Sequence, residues 1–249
     1  MDKIKNFSNS GEYGIIKFEV LQLDFIEELQ AKIKEWGASF WGYSKVGDKL
    51  PMSLSKLEYA ITVGIRLSDF IIDEITDRPT YTYYHHYRTV NALIDHITLR
   101  GTLLIQEKGY KALAVPASQT VNDVEQPYSA VFPHKTAAVR AGLGWIGRNG
   151  LFVSLDYGPR VRLGTILTDM KLPVQNKVVD PDCGECRKCV ESCPAMALTG
   201  NCWQEGCDRS HIVDAKACSD YMNRNFKHIG RGYVCGICIK VCPKGSKRK

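Results

Sequence analysis

All ten cysteines of this 249-residue chain fall between Cys183 and Cys242, and the first 182 residues contain none. Disulfides that staple a secreted fold draw thiols from all along a chain. Crowding every thiol into one short stretch points instead to a cofactor-binding segment attached to a thiol-free domain.

The spacing says which cofactor. Cys183, Cys186, Cys189 and Cys193, followed by Pro194, form the C-x2-C-x2-C-x3-C-P run of two-cluster ferredoxins. A short loop wraps three thiolates around one cubane, while the fourth cysteine, on the following helix, points away and serves the neighbouring cluster. Cys235, Cys238 and Cys242, followed by Pro243, repeat the latter three positions, but Gly232 stands where the first cysteine belongs. Cys218, Cys207 and Cys202 are the candidates for the missing ligand. Cys218 is preferred, because it is nearest and lies in the helical-looking DAKACSDYMNRNF; Cys202 and Cys207 are then spare thiols. The crossover assigns Cys183, Cys186, Cys189 and Cys242 to one 4Fe-4S cluster, and Cys193, Cys218, Cys235 and Cys238 to the other. Zinc, the other reading of paired C-x2-C motifs, needs neither the third cysteine nor the Cys-Pro endings.

The formal charge of +6 and the basic run Lys244 to Lys249 invite a nucleic-acid reading. Eight thiolates and two oxidised cluster cores of about two positive charges each would bring the total to about +2, so a solvated tail is the plainer reading. The N-terminal MDKIKNFSNSGEYGIIKF has no apolar stretch or cleavage site, and the longest apolar runs, such as Tyr59 to Ile65, are strand-sized. A soluble cytoplasmic protein without a membrane segment is expected.

Phe25, Leu29, Ile33 and Trp36 recur at helical spacing, with Gly37 as a stop before a strand from Ala38 to Tyr43. Ser55 to Leu67 suits a buried strand, Tyr81 to Lys108 a long helix, and Ala112 to Pro116 a short strand. After a polar loop from Gln119 to Tyr128, HKTAAVRAGLGWIGRNG reads as helix then glycine loop, LFVSL and RVRLGTILTD as strands, and Met170 to Asp182 as a linker. Gly142, Gly144 and Gly147 match G-x-G-x-x-G, but this loop follows a helix and precedes a strand, the reverse of a dinucleotide site. His134, Ala137, Ala138 and Ala141 share one helix face whose small residues allow close approach, either of a cofactor or of neighbouring strands.

The succession HKTAAVRAGLGWIGRNG, YGPRVRLGTILTD, CGECRKCVESCPAMAL, DAKACSDYM and YVCGICIKVCP resembles the epoxyqueuosine reductase family and, more distantly, the reductive dehalogenases. The resemblance spans about residues 35 to 245. It implies an α+β fold: a nitroreductase-like α/β domain over 1–172 binding base-off cobalamin, then a bacterial ferredoxin-like module with two 4Fe-4S clusters over 173–249. It also supports Cys218 as a ligand, since family members carry a cysteine in the matching position.

The implied function is a cobalamin-dependent iron–sulfur reductase, fed by an external flavodoxin- or ferredoxin-type electron donor and acting on a small molecule. Ala141, Gly144, Trp145, Ile146, Gly147, Arg148 and Asn149 are the expected corrinoid contacts, with Arg148 suited to the cofactor's amide and phosphate periphery. Two departures count against tRNA as substrate. Val115-Pro116-Ala117-Ser118-Gln119 has no carboxylate where the family's queuosine enzymes carry an acidic proton donor, and a short form without their C-terminal repeat region is expected.

The proton donor is then sought in the cluster Tyr81, Tyr83, Tyr84, His85, His86 and Tyr87, or at Tyr128. Tyr84, His86 and Tyr128 are the catalytic candidates, with Arg140 or Arg148 lowering a phenol's pKa; a packed helix face is the plainer reading of any one tyrosine. A non-catalytic electron-transfer protein and a flavin-containing iron–sulfur reductase are the alternatives.

Overall fold

The computed structural model describes residues 10–119, 128–174, 178–230 and 234–245. Helix α1 (Ser10–Glu35) buries Phe25, Leu29 and Ile33 along one face. It ends at Gly37, whose φ is 108°. The Gly37 N–H donates to the Lys34 carbonyl at 3.0 Å and the Ala38 N–H to that of Ile33 at 3.2 Å. These two bonds satisfy carbonyls the last turn leaves open, and the left-handed backbone explains the glycine.

Four strands, β1 (Phe40–Lys45), β2 (Tyr59–Arg66), β3 (Ala112–Val115) and β6 (Val161–Thr168), form one antiparallel sheet in the order β1-β2-β6-β3. Between β2 and β3 come the short α2 (Asp69–Asp73) and the long α3 (Tyr81–Glu107). The Thr80 hydroxyl caps α3 by accepting from the Tyr83 N–H at 3.0 Å. The pleat sorts side chains by alternation. Ile61, Val63, Ile65 and Ile166 face the core shared with α1 and α3, whereas Ala60, Val161, Leu163 and Leu167 face α4 (His134–Arg140) and its surroundings.

Two expectations are corrected. The glycine loop contains a strand, β4 (Gly144–Ile146), paired antiparallel with β5 (Phe152–Ser154), because the buried Trp145 and Ile146 complete a small hairpin. The linker beginning at Met170 starts as packed chain, with Met170 and Leu172 buried in the main core. Positions 175–177, Gly232 and most of the loop from Gln119 to Tyr128 lie outside the described residues.

The cysteine-rich segment adds α5 (Lys188–Glu191), α6 (Ala215–Phe226) and α7 (Ile237–Lys240). Across the expected boundary after residue 172, one hydrophobic cluster continues: Val234, Ile237 and Ile239 join Ile75 and Tyr83. Arg160 is buried and donates to Asp69 at 3.1 Å and Asp73 at 2.9 Å, and Lys240 reaches Asp73 at 2.8 Å. Among the described residues no helix is long and apolar enough to cross a membrane.

Ile166 is fully buried where β6 meets α3. Ile166→Ala should therefore lower unfolding stability by about 2–5 kcal/mol in urea titration followed by circular dichroism, with the cluster absorbance of the folded protein unchanged.

Candidate cluster module and junction pocket

Local turns bring the first three cysteines together: the Cys186 N–H donates to the Cys183 carbonyl at 3.1 Å, and α5 begins one residue before Cys189. α7 occupies most of the interval between Cys235 and Cys242, and α6, capped by the Asp214 carboxylate on the Ala217 N–H, carries Cys218. Through space the thiols fall into two sets. Cys189 faces Cys242, Cys183 and Cys186, while Cys235 faces Cys218 and Cys193. Cys238 faces Cys235, Cys218 and Cys193, with Cys189 of the other set also near.

Burial, then repulsion between neighbouring thiols, pushes Cys189 up to about 11. Burial pushes Cys235 to about 11 as well, with Cys218 and Cys193 adding to the rise. Eight thiolates so placed need metal cations to balance them. Among the described residues no three His, Cys, Asp or Glu side chains converge on one point as a single ion requires; a cubane holds each thiolate on a different iron. Cys202 is exposed, and Cys207 faces the pocket described below.

Gly147, Arg148 and Asn149 wall the cavity of the first set, beside Cys183, Cys186, Cys189 and Cys242. A Cβ at Gly147 would lie 2.9 Å from both Asn149 Oδ1 and Val153 Cγ2, and 3.6 Å from Cys183 Sγ. The Arg148 guanidinium donates to the Gly184 carbonyl at 2.8 Å and also to that of Gly200. This loop clamps the cysteine module, so Arg148 is not the free cation expected for a corrinoid periphery.

A second cavity of about 940 Å³ lies where the α/β elements meet the cysteine module. His134, Lys135, Ile146, Phe152 and Arg162 line it from one side, and Trp203, Cys207, Ile212, Val213 and Ile239 from the other. Ile239 directly follows Cys238. His134 Nδ1 meets the Thr165 hydroxyl at 2.8 Å and Nε2 the Pro116 carbonyl at 3.0 Å. A carbonyl can only accept, so Nε2 carries the proton and Nδ1 accepts; burial pushes this imidazole down to about 4. Lys135 Nζ donates to the Gly150 carbonyl at 2.7 Å.

Arg162 donates through Nε to Asn91 Oδ1 at 2.8 Å and through Nη2 to the Tyr87 hydroxyl at 3.2 Å, with its guanidinium 4.3 Å from the Tyr87 ring centre. Burial acts to raise the Tyr87 phenol, but the Arg162 cation and hydrogen bonds with Ser118, Asn91 and Arg162 outweigh it, and the net shift is downward.

Of the catalytic candidates, Tyr128 lines this pocket. Tyr84 does not; its ring packs against Gly230 and under Arg88. His86 Nε2 accepts from the Ser68 N–H at 3.0 Å. Successive residues on α3 turn by about 100°, so Tyr83, Tyr87 and Asn91 line up along the face toward Arg162, away from Tyr84 and His86. Ile146 lines the pocket, whereas Trp145 is buried in the β4–β5 hairpin. Ala141 packs against β1, where a Cβ at Gly42 would lie 3.2 Å from its own. Ala137 and Ala138 are fully buried, so the small-residue face serves strand packing. Gly144 is also a packing glycine, since a Cβ there would sit 2.0 Å from the Val153 carbonyl oxygen. Arg140 pairs with Asp48 and Glu205, and the cation that lowers a phenol beside the pocket is Arg162, over Tyr87. Arg162 and Lys135 line the pocket without being singled out from the sequence, and Tyr87, which stands behind Arg162, is named there only within the Tyr81 to Tyr87 cluster.

We propose that the two sets are the ligands of two 4Fe-4S clusters. Cys218→Ser should then cut iron from about eight to about four per chain, while Cys202→Ser and Cys207→Ser keep about eight; iron and sulfide analysis of anaerobically reconstituted protein checks this. Gly147→Val should deplete the cluster nearest Cys183 and leave the other's paramagnetic signal.

A family described as "4Fe-4S double cluster binding domain" matches residues 182–245. An epoxyqueuosine reductase of Synechocystis sp. is 33% identical over 150 residues, covering 55% of this chain and 48% of that protein. A reductive dehalogenase, whose structure is described as suggesting a mechanism for B12-dependent dehalogenation, superposes with TM-score 0.68 at 19% identity, over 86% of this chain and 31% of that one. An epoxyqueuosine reductase solved with an epoxyqueuosine-modified tRNA stem loop gives TM-score 0.56 at 17% identity, over 91% and 66%. The chain spans about half the length of the curated relative it matches. It therefore carries a double 4Fe-4S cluster binding domain, is similar in sequence to the epoxyqueuosine reductases, and shares a fold with them and with the reductive dehalogenases.

Proposed function

We propose that this protein is a cytoplasmic, corrinoid-dependent iron–sulfur reductase that receives electrons from an external flavodoxin- or ferredoxin-type donor and acts on a small molecule. The observation that carries this reading is the junction pocket: one wall is built by the α/β elements and the other by the cysteine module, with Ile239 beside Cys238. A ligand there lies against the electron source.

The residues present suit a corrinoid. About 940 Å³ is room for a large planar ligand, and Phe132, Phe152, Ile212, Val213 and Trp203 offer it apolar surface. When bound, the corrinoid would supply a low-valent cobalt able to reduce a substrate. The chain's own groups bind, orient and hold protons. Tyr87 stands one hydrogen bond behind the pocket wall, its hydroxyl 3.2 Å from Arg162 Nη2 and 3.1 Å from Ser118 Oγ. With its phenol shifted downward beside a cation and its hydroxyl accepting from Arg162, it is better placed than Tyr84 or His86 to hold a proton behind the pocket wall. Tyr128 offers a second hydroxyl at the rim.

The stretch Val115 to Gln119 carries no carboxylate, and its Ser118 is engaged with Tyr87. That departure favours a small molecule over tRNA. Retention of tRNA at low salt, falling steeply as salt rises, would reverse this choice.

Titrating anaerobic, cluster-loaded protein with cobalamin should give saturable binding at micromolar cofactor with a base-off spectrum. No binding would defeat the corrinoid reading and leave electron carriage or a flavin to be tested.

A further inference from the structure

We propose that the junction pocket holds its ligand through an anionic group, a carboxylate or a phosphate, received by the Lys135 ammonium and the Arg162 guanidinium. The proposal deepens the reading of this pocket as a ligand site and rests on it.

The charges on the pocket wall are unbalanced. Lys135, Arg162 and Arg209 line it, against one carboxylate, Asp208. Asp208 is exposed and caps its own turn, accepting from the Ser210 N–H at 2.7 Å. The acceptors of Lys135 and Arg162 are all neutral: the Gly150 carbonyl for Lys135, and Asn91 Oδ1, the Tyr87 hydroxyl and the Ala117 carbonyl for Arg162. Neutral oxygens solvate a sequestered cation without cancelling its charge.

Other sequestered cations of this chain are treated differently. Arg160 meets Asp69 and Asp73, and Arg140 meets Asp48 and Glu205. Lys135 and Arg162 face the large cavity and are bonded to no carboxylate among the described residues; Arg148, also bonded to carbonyls, faces the first cysteine set instead. Burial, then the Arg209 charge, pushes the Lys135 ammonium down to about 8, as expected of a cation short of a negative partner.

Two ligands could supply the anion: a corrinoid, through the phosphate of its nucleotide loop, or the substrate, through an acidic group of its own. Binding of benzoate, phenyl phosphate and the neutral isostere benzamide to cluster-loaded protein, measured by calorimetry, tests the shared chemistry. Either anion should bind about tenfold or more tightly than benzamide, an advantage worth about 1.4 kcal/mol or more. Lys135→Gln and Arg162→Gln should each erode that preference at unchanged iron content, and Lys135→Arg should retain it. Equal binding of benzoate and benzamide, no saturable binding of either anion, or a preference untouched in both glutamine variants would overturn the proposal.

Cobalamin and cobinamide, which lacks the phosphate, separate the two sources. A preference for cobalamin that disappears in the glutamine variants assigns the subsite to the corrinoid phosphate. Benzoate binding that persists in cobalamin-loaded protein assigns it to the substrate. If neither corrinoid binds, the corrinoid reading fails while the anion preference is still decided by benzoate against benzamide.

Discussion

The interlacing of two cysteine sets is the constraint on which the rest of the structure depends. The first Cys-Pro run turns three thiols one way and sends Cys193 across, and the second turns Cys235 and Cys238 one way and sends Cys242 across, so Cys242 joins the set of Cys183 while Cys193 joins that of Cys235. The fourth member of the second set, Cys218, comes from α6, so three separate stretches of chain must dock together. Thiols raised by burial and by one another oppose that docking until metal balances them. Gly236, at φ 80°, shows how closely the module is pressed onto the larger domain. A Cβ there would lie 2.7 Å from Ile75 Cδ1 and 2.8 Å from the Tyr83 ring.

That docking creates the pocket. No single element encloses it: α4 and β6 furnish His134, Lys135 and Arg162, and the segment from Trp203 to Val213, with Ile239, closes the other wall. The Gly147–Asn149 loop forms the first set's wall and reaches the second run through Asn149 Nδ2, 3.5 Å from the Cys238 carbonyl oxygen. One short loop thus touches both cysteine runs and leads, through Gly150, into the pocket wall. Electron source and ligand space are neighbours because they share this loop.

The pocket's electrostatics follow from its assembly. Arg162 projects from β6 toward α3, and Asn91 and Tyr87 sit one helical turn apart to meet it. The Arg162 cation and hydrogen bonds shift the Tyr87 phenol downward against burial, whereas burial, with the same cation adding to it, holds His134 neutral. The result is a cavity with His134, Lys135 and Arg162 on one wall and, on the other, apolar surface from the cysteine module flanked by Asp208 and Arg209.

Much of the fold was legible in the sequence. Period-2 and period-3.6 patterns located α1, α3 and the four sheet strands, since those signals are carried by neighbours in the chain. Cysteine spacing marked the module and the crossover, because a cubane's reach is set by loop length. Strand β4 was read as part of the glycine loop because three residues are too short to show alternation, whereas β5 was read as a strand in LFVSL. The glycines and alanines of HKTAAVRAGLGWIG marked close approach without saying what approaches. Only the tertiary structure decided that: Val153, Gly42 and Cys183 are the near neighbours. It also decided that Tyr87 rather than Tyr84 meets Arg162, that Arg148 clamps carbonyls, and that Lys135 and Arg162 face a cavity while bonded only to neutral oxygens. The Arg148 and Tyr87 outcomes depend on which faces meet across 36 and 75 residues of chain, and no local pattern encodes such a distance.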